Sequence, residues 1–295
     1  MKSGFVSIMG RPNVGKSTLL NSLLETKLAI TSDKAGTTRN IIQGVYEDSD
    51  SQIVFVDTPG IHKPIHKLGN ILNRKAYQAV DTVDVILFLV DVSTGVGKGD
   101  LFILDRIKEE NLPIILVLNK VDKIRKDKLL ELISEYKDLY DFAEIFPISA
   151  LQNDNIDALL KTIKKYLPND GKIFEDDTVT NISTSFYVSE IVREKILRLT
   201  KDEVPHSVAC YVESLHHGKD SVHIQVLIVV DRDSLKKIII GKNGLMIKQI
   251  GMDARVDLEE YFGKTVYLET FVKTIENWRD REKYLRELGI DDLSE

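Results

Sequence analysis

Apolar runs of strand length alternate with amphipathic stretches over the first 167 residues of the chain. Several runs are apolar at almost every position, which is typical of strands buried on both faces of a sheet. The predicted strands are Phe5–Met9, Ile53–Val56, Val85–Val90, Ile114–Leu118 and Glu144–Ile148, with Ile41–Glu47 as a further, less buried one. The predicted helices lie near 68–80, 100–111, 126–140 and 154–166. This order predicts an α/β domain over residues 1–167, built on a mostly parallel sheet with helices on both faces.

The pattern of the chain changes after Leu167 and Pro168. The turn signal Asn169-Asp170-Gly171 and the charged run Glu175-Asp176-Asp177 predict a linker over residues 168–182. Beyond it the pattern predicts a helix, two strands, two helices, a strand and a polar helical tail, at 186–200, 207–215, 221–230, 233–240, 244–262, 265–272 and 276–288. We therefore expect a second domain over residues 183–295, of the α+β class.

The composition narrows the class of protein further. The 295 residues and the hydrophobic fraction of 43% are enough for two domains with their own cores. The net charge of −6 excludes a general attraction to nucleic acid, so any such site must be a local patch. The single cysteine, Cys210, excludes an internal disulfide and fits a reducing compartment. Since the chain opens directly into a predicted strand and has no apolar stretch of about 18 residues, we expect a cytoplasmic protein without signal peptide or membrane span.

The segment after the first predicted strand has the spacing of a phosphate-binding loop. Residues 10–17, GRPNVGKS, match the pattern Gly-x-x-x-x-Gly-Lys-Ser between a strand and a helix. The glycines allow backbone N–H groups to turn toward phosphate oxygens, and the helix N-terminus favours the same anion. We expect Lys16 to reach the β- and γ-phosphates and the Ser17 hydroxyl to bind Mg²⁺. The candidate phosphate-binding residues are Gly10, Asn13, Val14, Gly15, Lys16, Ser17, Thr18 and Gly60.

A second motif, NKVD starting at Asn119, follows a later strand and predicts the base. Ligands bind at the carboxyl ends of strands in such sheets, where Asp122 would accept hydrogen bonds from guanine N1–H and the 2-amino group. Adenine offers neither donor, and such a mismatch discriminates strongly. We expect the aliphatic stem of Lys120 to lie along the plane of the base and Asn119 to link the neighbouring loops to each other. Ser149 and Ala150, after another strand, would present their N–H groups to guanine O6.

The motif Asp57-Thr58-Pro59-Gly60 predicts the remaining part of the phosphate and metal site. We expect Asp57 to hold Mg²⁺ through water, across from Ser17, and the Gly60 N–H to reach the γ-phosphate. Either Thr37 or Thr38, in the polar segment before it, would complete the metal shell and sense that phosphate. The candidate switch residues are Thr37, Thr38, Asp57, Thr58, Pro59, Gly60 and Ile61.

The motifs of residues 1–167, taken in their order along the chain, resemble those of translation-factor-related GTPases. The resemblance identifies Gly36-Thr37-Thr38-Arg39 as the switch I motif, in which the second threonine binds the metal, and so favours Thr38. Ras-like enzymes carry a water-orienting glutamine where this chain has Ile61, and His62 is the nearest polar candidate for that role. GTPases that are similar at Ile61 and Asn13 use K⁺ beside the phosphates. Asn13 would then bind K⁺, and the alternative that it only stabilises the loop stays open.

The second predicted domain contains a Gly-x-x-Gly turn between two helical patterns, at Gly241 to Gly244. Glycines at both ends allow a nucleic-acid backbone to approach, as in KH modules, although a helix–helix turn remains the alternative. The element order is that of a type II KH domain, and five basic residues but one acidic residue lie between Arg232 and Lys248. The candidate RNA-binding residues are Arg232, Lys236, Lys237, Gly241, Lys242, Asn243, Gly244 and Lys248. His216 and His217 are expected in a solvated hairpin loop.

The chain is similar to the Era family over nearly its whole length. The resemblance rests on the order of a GTPase domain before a type II KH domain and on the segment FVKTIENWR, which starts at Phe271. The resemblance implies a bacterial GTPase that binds 16S rRNA near its 3′ end and assists maturation of the small (30S) ribosomal subunit. From the residues, we expect Mg²⁺ as the cofactor and slow hydrolysis, because Ile61 cannot orient the attacking water. The resemblance also implies a monomer in the cytoplasm, with peripheral association at the inner face of the membrane. The segment Asp33-Lys34-Ala35-Gly36 departs from the Pro-Gln that we associate with that family.

Two other classes of function are compatible with part of the sequence. A P-loop kinase would share the loop at residues 10–17, but no arginine-rich lid is evident and the motif at Asn119 favours guanine. A GTP-controlled protein scaffold would share the first domain, but the glycine turn and the basic stripe of the second favour RNA.

Overall fold

The computed structural model describes residues 1–175 and 179–290, and its contacts divide the chain into two compact units. The first unit consists of Met1–Thr31, Thr38–Lys63 and Leu72–Asn181. The second consists of Ser32–Thr37, Pro64–Ile71 and the chain from Ile182 onward. Two stretches of the predicted segments lie outside the described residues. They are residues 176–178, which belong to the linker and include the end of its charged run, and residues 291–295 of the second domain.

The first unit is built on a six-stranded sheet whose order is β2-β3-β1-β4-β5-β6. Every neighbouring pair is parallel except β2 with β3, which form an antiparallel pair. The strands are β1 (Lys2–Met9), β2 (Ile42–Glu47), β3 (Ser51–Asp57), β4 (Val85–Asp91), β5 (Ile114–Asn119) and β6 (Glu144–Ile148). The prediction of a mostly parallel α/β sheet is confirmed, because continuous apolar runs mark strands that are buried on both faces.

Within the described residues, four α-helices connect these strands, α1 (Lys16–Leu24), α2 (Lys67–Gln78), α3 (Lys98–Ile107) and α4 (Lys126–Leu139), and α5 (Ile156–Tyr166) follows β6. Alternate residues of β4, such as Phe88, enter one apolar core together with Ile103 of α3 and Leu132 of α4. The intervening residues of β4, such as Leu87, are equally buried, so the opposite face of the sheet is covered as well. Packing on both faces leaves the carboxyl ends of the parallel strands as the open edge where a ligand can bind.

The described part of the predicted linker packs along the edge of the first unit. The Gln52 side chain accepts hydrogen bonds from the N–H groups of Ile173 and Phe174, both at 2.8 Å. Farther along, the N–H of Val45 in β2 donates to the carbonyl of Val179 at 2.9 Å. The bond from Val45 pairs part of the edge of β2, which would otherwise offer unpaired backbone groups to solvent.

From Ile182 to Ile290, the described part of the second unit combines a three-stranded sheet, in the order β7-β8-β9, with five α-helices. The chain runs through α6 (Thr184–Leu199), α7 (Val204–Ser207), β7 (Val208–His217), β8 (Ser221–Val230), α8 (Asp233–Ile240), α9 (Leu245–Phe262), β9 (Thr265–Thr274) and α10 (Glu282–Glu287). Strands β7 and β8 are antiparallel, whereas β8 and β9 are parallel. This α-β-β-α-α-β order, with the short α7 as an addition, is the one that the sequence predicts.

Two details of the second unit correct the predictions. His216 and His217 are exposed but end strand β7 instead of lying in the hairpin loop, because His216 pairs with His223 of β8. The helical tail begins as a short 3₁₀ turn at Trp278, whose fully buried side chain donates a 3.0 Å hydrogen bond to the Ser207 carbonyl. The tail is therefore partly anchored in the core of the unit.

Candidate functional site

The predicted phosphate loop lies between β1 and α1, at the carboxyl end of the central strand. Gly15 adopts a positive φ of 104°, and a Cβ there would lie 2.3 Å from Nδ2 of Asn119. The same amide donates to the Val14 carbonyl at 2.8 Å. A side chain at position 15 would therefore disrupt both the loop conformation and its link to the base motif.

Lys16 is buried at the start of α1, and its Nζ donates to the carbonyls of Gly10 and Arg11 at 3.1 and 2.9 Å. Burial lowers the pKa of Lys16 to about 8, and the carboxylate of Asp57 offsets only part of that effect. The ammonium is thus held inside the loop by carbonyl dipoles, where a phosphate oxygen would be a stronger partner.

The low pKa of Lys16 makes nucleotide affinity pH-dependent. A bound phosphate favours the ammonium and raises this pKa, so binding above pH 8 requires uptake of a proton. We expect affinity for GDP to be full below about pH 8 and to fall by up to tenfold per unit above it. Titrations with fluorescent GDP between about pH 7 and 9 measure the effect. Lys16→Met should bind weakly without this dependence, and a flat wild-type profile would contradict the prediction.

Three of the predicted metal ligands meet at one point beside the phosphate loop. The Ser17 hydroxyl donates to Oδ2 of Asp57 at 2.8 Å and lies 2.8 Å from the hydroxyl of Thr38. Thr38 also donates to the same carboxylate oxygen at 3.3 Å. Burial raises the pKa of Asp57, although Lys16 and both hydroxyls act in the opposite direction. The other carboxylate oxygen, Oδ1, is buried without a hydrogen-bond partner among the described residues.

This cluster fits a hard divalent cation. Two hydroxyls and a carboxylate are the oxygen donors that Mg²⁺ prefers, and a cation would satisfy the unpaired oxygen of Asp57. Thr38 lies in the cluster, whereas the Thr37 hydroxyl donates to the Lys34 carbonyl at 2.6 Å. The geometry therefore supports the preference for Thr38 over Thr37.

The segment after Asp57 packs tightly on the phosphate loop. A Cβ at Gly60 would lie 2.8 Å from backbone atoms of Pro12, so only glycine permits this approach. The Thr58 hydroxyl donates to the Ile8 carbonyl at 2.9 Å, which fixes the segment to β1. Ile61 is buried in the apolar core, so its side chain has no access to an attacking water. Nδ1 of His62 lies 3.0 Å from the Gly60 carbonyl, a contact that keeps the ring beside its own backbone.

The predicted base-binding residues come together where β5 and β6 end. The Ser149 hydroxyl donates to Oδ1 of the exposed Asp122 at 2.6 Å. Nζ of Lys120 donates to the Asn13 carbonyl at 2.6 Å. The Ala150 N–H donates to Oδ1 of Asn119 at 3.0 Å, and the Ser149 N–H donates to the Asp154 carbonyl at 3.3 Å. Both bonds stabilise the loop, and the contact of these two amides with guanine O6 stays a prediction.

Sequence reasoning missed an ion pair that holds the phosphate loop. The Arg11 guanidinium donates to Asp100 of α3 at 2.7 Å and to the Thr94 hydroxyl at 3.0 Å. The Asp100 side chain is fully buried, and a Cβ at Gly99 would lie 2.5 Å from Arg11. No signal in the sequence links Arg11 to the glycine-rich segment that contains Asp100, 89 residues later. Only the fold brings the two segments together.

The glycine turn of the second unit joins α8 to α9, as predicted. Gly241 and Gly244 adopt positive φ angles of 72° and 75°, and Asn243 between them has a φ of 53°. A Cβ at Gly241 would lie 2.6 Å from that of Met246, whereas one at Gly244 would meet nothing within 4 Å. Gly241 is therefore needed for packing, and Gly244 keeps an open surface where a backbone phosphate could approach.

The predicted RNA-binding cations of the second unit lie in the turn, on the two helices that it joins and, for Arg232, directly before α8. Lys242 and Asn243 in the turn are exposed, as is Lys248 on α9. On the α8 side, Arg232 and Lys237 are exposed, whereas Lys236 is half-buried. The arrangement leaves positive charge available near an open glycine, which suits a phosphate backbone.

The two sites and the two folds define a P-loop GTPase joined to a KH domain. A family model described as a 50S ribosome-binding GTPase matches residues 5–120, and a KH domain model matches residues 203–279. A solved structure of Era with MgGDPNP and nucleotides 1506–1542 of 16S ribosomal RNA is 45% identical, with 98% of this chain and 99% of that chain covered and a TM-score of 0.96. A variant of Aquifex aeolicus Era bound to GDP and AlF₄⁻ is also 45% identical over 98% of this chain and 99% of that chain, with a TM-score of 0.95. The chain belongs to the Era family.

Proposed function

We propose that this chain is a GTP-hydrolysing, RNA-binding switch that binds 16S rRNA near its 3′ end and assists maturation of the 30S subunit. The observation that carries the proposal is the union of two sites in one chain. Ser17, Thr38 and Asp57 meet beside the phosphate loop, and an open Gly-x-x-Gly turn lies among exposed cations. The nucleotide and the rRNA segment present in the Era complex are the ligands that such sites would take.

In the proposed reaction, the chain binds, orients and shields the nucleotide. Lys16 and the N-terminus of α1 neutralise the phosphates, while Asp122 accepts the two donors of guanine. Ser17, Thr38 and Asp57 would hold Mg²⁺, which stabilises charge on the β- and γ-phosphates. Since Ile61 is buried, the chain offers no side chain there to orient water, and intrinsic hydrolysis should be slow.

We further propose that K⁺ binds beside the phosphates with Asn13 as a ligand. Asn13 has a positive φ of 65° and its carbonyl accepts from Lys120, so the backbone that carries its side chain is held in place on the loop. A monovalent cation there would supply positive charge to the transition state in place of a side chain.

Replacing Na⁺ by K⁺ should raise the rate of GTP hydrolysis, by about tenfold if the cation lowers the barrier by about 1.4 kcal/mol. Asn13→Ala should reduce this stimulation while leaving GDP affinity within about twofold, since the carbonyl that accepts from Lys120 is retained. Phosphate release at equal ionic strength in the two salts is the measurement. Equal wild-type rates in K⁺ and Na⁺ would contradict the prediction and favour an external activator.

The remaining partners follow from the family. We propose that the protein acts as a cytoplasmic monomer on the 30S subunit. Among the described residues, no helix has the length and apolarity to cross a membrane. Peripheral attachment at the inner membrane face is a prediction from the family alone, which co-sedimentation with anionic vesicles would test.

Two measurements on the full chain test the proposal. Incubation with radiolabelled GTP should transfer the γ-phosphate to water, whereas a kinase would transfer it to an acceptor. Crosslinking to RNA in cells, followed by sequencing, should recover fragments from the 3′ end of 16S rRNA. Recovery of protein partners in place of rRNA would favour the scaffold alternative.

A further inference from the structure

Asp91, the last residue of β4, lies beside the nucleotide site but belongs to none of its motifs. Its Oδ2 accepts a 2.5 Å hydrogen bond from Nζ of Lys120, and only 11% of its side chain is exposed. Its Oδ1 accepts from the N–H and the hydroxyl of Ser93, at 3.0 and 2.6 Å. Burial acts to raise the pKa of Asp91, but the bonds from Lys120 and Ser93 outweigh it and leave the pKa below its usual value. Asp91 is therefore a carboxylate with separate partners on its two oxygens.

Lys120 connects this carboxylate to the phosphate loop. The same ammonium that contacts Asp91 donates to the Asn13 carbonyl at 2.6 Å. Lys120 itself has a positive φ of 70° and directly follows β5. The ammonium of a flexible four-carbon side chain is thereby held by two acceptors of the protein itself.

We propose that Asp91 is a positioning residue for guanine nucleotides, and that it acts through Lys120. The inference rests on the proposed function, since the Lys120 stem is the surface on which the base would lie. With Asp91 in place, Lys120 is ordered in advance, and binding does not have to restrict its rotamers. Without the carboxylate, the ammonium keeps only the Asn13 carbonyl, and the stem regains freedom that nucleotide binding must remove.

The two oxygens of Asp91 allow a selective variant. Asp91→Asn retains Oδ1 as an acceptor for Ser93 but replaces the oxygen that faces Lys120 by an amide that donates. Ser93→Ala is the matched control, because it removes the hydroxyl bond to Oδ1 and leaves the bond to Lys120 intact. We expect Asp91→Asn to weaken GDP binding about tenfold, mainly through faster dissociation, and Ser93→Ala to change it less than twofold.

A double-mutant cycle on the full chain tests whether Asp91 acts through Lys120. Lys120→Met keeps the apolar stem without the ammonium, so Asp91→Asn should add less than a twofold loss in that background. An equal loss in both backgrounds would overturn the proposal and indicate a general effect on the fold. A wild-type affinity for Asp91→Asn would also overturn it.

The ratio of GDP to IDP affinity separates this role from that of Asp122. IDP lacks the 2-amino group that Asp122 would bind, so the ratio reports on Asp122 alone. We expect the ratio to be unchanged in Asp91→Asn, and a collapsed ratio would overturn the assignment to Lys120. If the wild-type chain bound neither nucleotide, the proposed function itself would fail. If the wild-type chain bound GDP and Asp91→Asn bound it equally well, only the role of Asp91 would fail.

Discussion

Asp122→Asn should lower GTP affinity by about 10²–10⁴-fold and create affinity for xanthosine triphosphate. The carboxylate would accept two charge-assisted hydrogen bonds from guanine, each worth about 1.5–3 kcal/mol. An amide offers one donor and one acceptor, which suits xanthine, where an oxygen replaces the 2-amino group. Asp122 is exposed and its Oδ1 accepts from Ser149, so the substitution changes a surface side chain and leaves the apolar core intact.

Binding of both nucleotides by the wild type and the variant is the measurement. Asp127→Asn, on the exposed start of α4, removes the same charge a few residues away and should leave both affinities unchanged. An unchanged GTP affinity in Asp122→Asn would show that the base lies elsewhere.

Replacing Gly241 and Gly244 by Asp should abolish binding to an RNA with the sequence of 16S nucleotides 1506–1542. The two carboxylates would stand where the RNA backbone must approach, and like charges at close range repel strongly. GTP affinity should stay at the wild-type value, since the turn lies in the second unit, whereas the phosphate loop, Asp57 and the NKVD motif lie in the first. Binding of labelled RNA with GDP and with a GTP analogue is the measurement. A wild-type affinity in the double variant would mean that the turn only joins two helices.

The structure separates charge from packing in this experiment. A Cβ at Gly241 would press on Met246, so Gly244→Asp alone, whose Cβ meets nothing within 4 Å, tests the charge. Lys242→Ala should weaken binding mildly and reduce its salt dependence, whereas Lys219→Ala, in the exposed β7–β8 turn, should not.

RNA affinity should also differ between the GDP and GTP-analogue states. If the γ-phosphate orders the segments around Thr38 and Gly60, as in other GTPase switches, the two ligands become coupled. Linkage then requires RNA to change nucleotide affinity by the same factor, which titration in both orders measures. Equal RNA affinities under both nucleotides would contradict the coupling.

Short-range pattern was enough to predict most of the secondary structure and the identity of the motifs. The bounds of β6, β8 and α8 agree with prediction, because continuous or alternating apolar residues and flanking turn signals are local features. The phosphate loop and NKVD were equally visible, since their chemistry depends on fixed spacing within a few residues. His216 and His217 were misplaced because two exposed residues at a strand end look like a loop until their pairing is known.

The sequence by itself determined which residues could hold a guanine nucleotide and where an RNA backbone could approach. The tertiary structure alone decided which side chains support them. β1 lies between β3 and β4, so the phosphate loop that follows β1 lies between the strand ends that carry Asp57 and Asp91, an order that spacing along the chain does not encode. Arg11 with Asp100 and Lys120 with Asp91 are 89 and 29 residues apart, and only the packing of parallel strands brings each pair within hydrogen-bond distance.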